Sequence, residues 1–423
     1  MSERIVIKEI CEVYDGPHAT PKKTVDGPVY LGIDAITDDG KINAKEFAHL
    51  SEEDYIKWTK RVTPQYGDIV FSYEATLGRY ALIPKDFYGC LGRRLAIIRN
   101  VSKDIDTLWL YYYFLSPEWK QFIQSKIIKG STVNRISVED FPTYTVPNIS
   151  IKVQRKIANI LSKIDEKIAL NNNINDNLEQ QAKLLYDYWF TQFDFPDENG
   201  KPYRSSGGKM IWNEQLKKEI PFSWICSKME NAIEAVRTGL NPRNNFKLGN
   251  GNIQYITVKN LCLNGSLDFS GCDTIDEQAR QIIHRRSDIQ IGDILFASIA
   301  PLGRCYLIQE KPNNWDINES VFSIRYNSSV LTAEYLYMNL QSEAFVKRAT
   351  ACSTGSIFKG IRINSLMDSE IILPPLSVTK EFSKEIKPLF ALQKELDRET
   401  HTLIQLRDWL LPMLMNGQAT IND

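Results

Sequence analysis

The sequence predicts an α+β chain in which two pseudo-two-fold-related α/β copies of one domain are separated by two long antiparallel coiled-coil helices. Three observations carry that expectation. GDIVFSYEATLGR begins at Gly67 and returns as GDILFASIAPLGR at Gly292, an offset of 225 residues. Such an offset is far beyond the roughly 20–50 residues of a solenoid period and marks a duplicated domain. Each copy mixes Gly- and Pro-punctuated strand patterns with a helical pattern, and an amphipathic helical segment follows each copy.

In the first copy, GPVYLGI, GDIVFSY, GRYALIP and RRLAIIRN read as strands, and TLWLYYYFLSPEWKQFIQSKI reads as a helix packed on the sheet. The second copy offers NIQYITVKN, GDILFAS, GRCYLI, SVFSIRY and then AEYLYMNLQSEAFVKRA. At the fixed offset Tyr30 falls on Tyr255, and the turn DDGKIN, with Gly40, falls on LNGSLD, with Gly265. Asp-Gly and Asn-Gly are hairpin signals because both residues tolerate positive φ. Further along, Tyr112, Leu115, Glu118 and Gly130-Ser131 fall on Tyr337, Leu340, Glu343 and Gly355-Ser356, which predicts more than a hundred residues aligned without an insertion. Both copies close on a proline-bearing strand, TYTVPNIS and EIILPPLS. The expected boundaries are 1–150 and 220–377 for the globular copies, 151–191 and 378–417 for the helices, 192–219 for a linker loop and 418–423 for a tail.

The first helix has apolar residues at Ile157, Leu161, Ile164, Ile168, Ile174, Leu178 and Leu185; the second has them at Phe382, Ile386, Leu389, Leu396, Leu403, Leu406 and Leu410. Steps of three and four residues make a coiled-coil-like seam. Asn171–Asn173 and Asn175 interrupt the first seam, and Pro388 kinks the second helix or sits in its first turn. Antiparallel pairing carries the copies to opposite ends of a rod. A helix of about 35 residues is roughly 50 Å long, against about 34–36 Å for one turn of DNA.

Composition narrows the function. The chain has 423 residues, 43% of them hydrophobic, enough for two or three packed domains. No apolar run approaches the roughly 18 residues of a membrane span and MSERIVIKEICEVY is not a signal-peptide pattern, so the expected location is cytoplasmic. Seven cysteines without a CxxC pair read as reduced thiols. A net charge of −1 argues against autonomous charge-driven binding to nucleic acid and leaves room for a partner to supply charge.

The order of motifs resembles the specificity subunit of type I restriction-modification enzymes over nearly the full chain. The resemblance rests on VYDGPHATPKK, AVRTGLNPRNNF, the paired GDI[VL]F…LGR blocks, the Gly-Ser segments, the proline strands, both helices, and FDFPDENGKPYRSSGGKM followed by EIPFSW. It implies that each globular copy is a target recognition domain reading a few base pairs of double-stranded DNA in the major groove. It implies that the helices act as spacer and as the dock for two methyltransferase (modification) subunits. Those would methylate adenine at N6, with ATP-driven restriction/translocase subunits joining them. S-adenosylmethionine, ATP and Mg would be bound by the partners, and this chain would hold no cofactor and do no chemistry. The alternative is a DNA-binding adaptor of a different phage-defence complex.

Given two different half-sites, residues identical in both copies cannot discriminate between them. Arg79 and Arg304, ending the LGR motifs, are therefore candidates for phosphate contact or for a framework salt bridge. The matched glycines and Asp68/Asp293 read as framework. Base readers are expected among polar residues that differ. STVNRIS places Asn134 and Arg135 where SIFKGIR places Lys359 and, shifted, Arg362. Arg can pair with guanine and Asn with adenine, each bidentately. Tyr73 opposes Ser298; His18, Thr20, Lys22 and Lys23 stand opposite Asn241 and Arg243; Arg93 and Arg94 add a basic pair.

Catalytic signatures are missing. The single Pro-Pro lies in LPPLS without the polar and aromatic neighbours of an adenine methyltransferase, and LGNGN reads as a turn. There is no phosphate loop and no GxSxG elbow. His18, His49, His284 and His401 share no metal-ligand spacing, and the acids of KIDEKIA and KELDRE read as solvated helix faces.

Overall fold

The computed structural model describes residues 3–130, 133–351 and 360–419. Lys359, Cys352, Ser131 and the Gly355-Ser356 pair lie outside them. The chain divides into two compact units, Met1–Leu170 with Thr400–Asp423, and Asn171–Glu399.

The first unit contains β1 (Arg4–Val6), β2 (Cys11–Asp15), β3 (Thr24–Leu31), β4 (Ala48–His49), α1 (Glu52–Trp58), β5 (Ile69–Ser72), β6 (Tyr80–Leu82), β7 (Gly89–Leu91), β8 (Leu95–Asn100), α2 (Thr107–Leu115), α3 (Pro117–Lys126) and β9 (Thr145–Pro147). It also holds the first part of α4 (Ile151–Tyr186). An antiparallel sheet in the order β2-β8-β5-β6 sits beside a small sheet β4-β3-β7, and β1 pairs with β9. The central strand β5 opens with three consecutive apolar residues, Ile69, Val70 and Phe71, because both its faces are covered. Ile69 and Phe71 face Trp109, Phe114, Trp119 and Phe141, while Val70 faces Leu31, Ile36, Ala81 and Ile97. Truncating a fully buried aromatic such as Trp119 removes about 3–5 kcal/mol.

The second unit repeats the plan. It carries β10 (Met210–Asn213), β11 (Lys218–Pro221), β12 (Ile225–Lys228), β13 (Ile233–Thr238), β14 (Ile253–Ile256), β15 (Asp273–Ile275), α5 (Glu277–Ser287), β16 (Ile294–Ala297), β17 (Cys305–Leu307), β18 (Trp315–Ile317), β19 (Val321–Tyr326), α6 (Ala333–Gln341), α7 (Glu343–Ala351), α8 (Ile363–Met367) and β20 (Glu370–Leu373), followed by α9 (Leu376–Met415). Its sheets run β13-β19-β16-β17 and β15-β14-β18, with β12 on β20. The stretch expected as a linker loop forms the β10/β11 hairpin, paired from Met210–Pro221 to Asn213–Lys218.

The repeat is real, but its register slips. The offset is 225 at β5/β16 and β6/β17, becomes 226 from β7/β18 through α3/α7, and returns to 225 at β9/β20. The expectation of an alignment without insertion is therefore corrected. A one-residue insertion lies between β17 and β18, in a surface connection where it costs little. Tyr337 consequently matches Tyr111 instead of Tyr112, and Ser342 matches Ser116. Each serine breaks what was read as a single helix, at φ/ψ of −66°/152° and −60°/142°. In the first copy Pro117 excludes the helical conformation at Ser116. Both serine hydroxyls then cap the next helix, accepting from Trp119 N and Phe345 N.

The hairpin turns match as well, with bridges Ile36–Ile42 and Leu261–Leu267. Gly40 and Gly265 have φ of 88° and 78°, and a Cβ at either would run into the hydroxyl of Tyr111 or Tyr337. Glycine is required there for both reasons.

Within the first unit α4 and α9 meet through Ile157, Ala158 and Leu161 against Leu410, Leu411, Leu414 and Met415, and Arg407 Nη1 donates to Asp165 Oδ1 at 3.0 Å. Within the second, Asn171 Nδ2 donates to Glu399 at 2.8 Å and Asn175 Nδ2 to Asp397 at 2.7 Å, while Tyr186 packs on Phe382. Both sets of pairs are antiparallel. The asparagines are thus buried partners in the seam, and Leu406, expected inside, is 41% exposed with Arg407 turned inward in its place. α9 passes through Pro388, twelve residues beyond its first residue, so the first-turn reading is corrected. Pro388 lies on the exposed face, where water can take the carbonyl left without a donor.

Candidate nucleic-acid interface

One frame underlies both copies. Asp68, buried in the first, accepts from Arg99 Nε at 2.8 Å and Nη2 at 2.7 Å, and from Gln65 N at 2.8 Å. Asp293 repeats this with Arg325 Nε and Nη2, both at 2.8 Å, and Gln290 N at 2.9 Å. These carboxylates hold the turn before the GDI strand, so they are framework. At the far end of that strand Tyr73 O accepts from Ile136 N and Ser298 O accepts from Ile361 N, each at 2.8 Å. The extended segments around Arg135 and Gly360 are thereby pinned beside Glu74 and Ile299.

Around the first pinning point several expected residues gather. Tyr73 N donates to Arg94 O at 3.1 Å, Arg94 Nε donates to Glu74 Oε2 at 3.1 Å, and Arg135 exchanges backbone hydrogen bonds with Ile128. Arg135 and Asn134 have exposed side chains. The Tyr73 phenol is buried; that burial first, and then the charge of Asp15, hold its pKa above the usual value. Asp15 in turn holds His18 Nε2 at 2.9 Å. Thr20, Lys22 and Lys23 lie on the loop that leaves β2, with both lysines exposed, and Arg93 is exposed next to Arg94.

The second pinning point is built on the same backbone bonds with different side chains. Ser298 stands for Tyr73, Ile299 for Glu74, Ser320 for Arg94 and Gly360 for Arg135. Ser298 is buried and spends its hydroxyl on Ser320 O at 2.8 Å. Tyr73 and Ser298, expected as base readers, are buried and support the loops beside them through these bonds. Arg362 is exposed at the start of α8, and Arg243 is exposed on the loop after β13 where Asn241 accepts from Asn245 through its carbonyl at 2.9 Å. Lys359 lies outside the described residues.

The LGR arginines part company. Arg79 is committed to the hairpin: Nε and Nη2 reach Asp38 at 2.6 and 3.2 Å, and Nη1 donates to Ile36 O at 3.0 Å. These bonds tie the hairpin to the sheet, as a framework salt bridge does. Leu263 occupies the place of Asp38 in the second copy, and Arg304 Nε is buried without an acceptor.

A basic cleft went unread in the sequence. α5 carries Arg280, His284, Arg285 and Arg286, and the first three of these, with Arg237 and Asp288, line an open cleft of about 630 Å³. The HRRS run at 284–287 was the available signal. Among the described residues no three His, Cys, Asp or Glu side chains gather as metal ligands, and no helix is long and apolar enough to cross a membrane. Burial pushes the Cys11 and Cys90 thiols up to about 12, leaving them protonated and poor nucleophiles.

The type I restriction modification DNA specificity domain matches twice, at residues 2–180 and 228–406, each match holding one GDI…LGR block and one long-helix segment. The chain belongs to that family. As a type I specificity subunit it is a non-catalytic component of a restriction-modification system. It is 22% identical over 380 residues to the MjaIX specificity subunit of Methanocaldococcus jannaschii, covering 89% of this chain and 82% of that one. It is 20% identical to the HindI specificity subunit of Haemophilus influenzae, covering 83% and 86%. Its fold matches the crystal structure of the M. genitalium type I S subunit at a TM-score of 0.56 and 15% identity, across 97% and 95% of the two chains.

Proposed function

We propose that each copy reads one half of an asymmetric, bipartite DNA target, and that the α4 and α9 helices set the unread gap and dock two methyltransferase subunits. The observation that carries this reading is a shared frame with unshared side chains. The backbone bonds at Tyr73–Ile136 and Ser298–Ile361 are the same, while the residues they display differ in charge and size. Two like readers would recognise a palindrome; two unlike readers recognise two different half-sites. Asn134, Arg135, Arg93 and the 18–23 loop serve the first half-site, and Asn241, Arg243 and Arg362 the second. S-adenosylmethionine, ATP and Mg belong to the partner subunits, together with the restriction/translocase activity, and the complex works in the cytoplasm.

The test is N6-methyladenine mapping of a host expressing the methyltransferase with and without this chain. A non-palindromic motif with a fixed gap that appears only with the chain supports two readers. An unchanged or palindromic pattern refutes them and favours an adaptor in a different defence complex.

A further inference from the structure

α1 and α5 occupy the same place in their copies, each following the edge strand of the small sheet and preceding the GDI strand. α1 has Glu52, Glu53 and Asp54 in its first turn and is followed by Lys60 and Arg61. α5 ends with Arg285 and Arg286 at the positions that match this basic pair, and adds Arg280 and His284 on the helix itself. The acids of the α5 cleft are already engaged: Asp288 with Arg237 at 3.0 Å and Arg325 at 3.1 Å, and Glu277 with Arg280 at 3.5 Å. Arg285 has no carboxylate partner among the described residues, and Arg286 reaches only the Thr238 hydroxyl, at 3.2 Å. His284 is held from behind. Its Nδ1 lies 3.2 Å from Asp316 Oδ2, and that fully buried carboxylate is itself fixed by Ser287 Oγ at 2.6 Å and Ile317 N at 2.8 Å. His284 also lines the cleft.

We propose that this cleft seats DNA backbone phosphate and is an electrostatic anchor of the second copy. The proposal rests on the reading of the chain as a DNA target reader. A polymer is favoured over a free phosphate compound because of what lies alongside. Leu240 and Phe246 pack with Tyr255, Ala279 and Ile283, so α5 forms the flank of the loop that carries Asn241 and Arg243. Phosphate contacts next to base readers fix register on a duplex. Arg and a carboxylate-oriented His are suited to that anion.

The experiment measures binding of the full chain, co-expressed with its methyltransferase, to a duplex bearing the mapped target and to a scrambled duplex, as a function of salt. Replacing the exposed Arg285, which lines the cleft, by alanine (R285A) should make the slope of log K against log salt shallower by about 0.9 for each phosphate no longer neutralised. The weakening should be equal on both duplexes, and the lysine variant (R285K) should restore the slope. His284→Gln should weaken both duplexes alike. An unchanged slope, or a change in sequence preference, overturns the proposal. So does inorganic pyrophosphate or ATP, at matched ionic strength, displacing DNA from the wild type but not from the alanine variant, which would make the cleft a seat for free polyphosphate. A wild-type chain with no preference for the target strikes at the target-reader assignment instead, while the slope still reports on the cleft.

Discussion

Arg79 and Arg304 close the same Leu-Gly-Arg motif, yet one is latched and the other is not. In the first copy the hairpin supplies Asp38 and a backbone carbonyl, so the guanidinium ties hairpin to sheet. In the second the hairpin supplies Leu263, and a buried Nε–H is left without an acceptor. Identical residues in a duplicated frame thus differ in role because the partner, which lies about 40 residues away in sequence, has changed. The same contrast holds for charge. The first copy gathers Arg93, Arg94 and Arg135 around its pinning point, where the second has Glu319, Ser320 and Gly360, while the second adds Arg280 and His284 on α5.

The largest effect is expected where the copies agree. Asp68→Ala leaves the half-buried Arg99 without its carboxylate and should cost about 3 kcal/mol, and Asp293→Ala somewhat less, because Arg325 keeps Asp288. Hydrogen exchange should show the loss concentrated in the copy that was changed; equal loss of protection in both would mean that the two frames are not independent.

Next come the residues where the copies differ. Arg135→Ala should cost about 1–3 kcal/mol of discrimination, at one half-site only. Methylome mapping that showed both half-sites relaxed would sink the assignment of one copy to one half.

The latch should give a smaller, opposite pair of effects. Arg79→Ala is expected to lose about 0.5–1 kcal/mol, since Asp38 is largely exposed. Arg304→Leu should be neutral or stabilising because it removes a buried donor with no acceptor. Leu263→Asp should build the missing latch, read as a coupling energy with Arg304 in a double-mutant thermal-denaturation cycle; zero coupling would show that the second hairpin cannot reach.

The smallest effect concerns the helix seams. The first unit crosses through the Asp165–Arg407 ion pair, the second through Asn175–Asp397. Burial raises the Asp397 pKa against the Asn175 hydrogen bond, which lowers it less. The folded state therefore holds this proton to higher pH than the unfolded state does. Stability is gained as pH falls through the raised value towards the ordinary carboxylate value, and the cost of the buried charge is fully present at neutral pH. Asp397→Asn should remove that dependence and stabilise the neutral protein modestly. Asp165→Asn should destabilise the protein, since it leaves the Arg407 guanidinium only the exposed Asp408. Urea midpoints from about pH 4 to pH 7 read the Asp397 dependence and its loss in the asparagine variant.

The duplication, the order of elements and the two long helices were legible because they depend on local chemistry: Gly in turns, alternation in strands, three- and four-residue steps in helices. Even the helix break at Pro117 was written there, since proline restricts the residue before it. The interface was legible only in part. Loop cations such as Arg135 and Arg243 stood out by type, but the buried states of Tyr73 and Ser298, the latch on Arg79 and the basic face of α5 did not. Those depend on which distant residue arrives beside each side chain, through Asp38, Ser320 and Asp316. The order of amino acids set what each segment could become. Packing then selected which arginines were neutralised and which were left for a ligand, because a charge is satisfied or kept according to the partner that folding brings within hydrogen-bond reach.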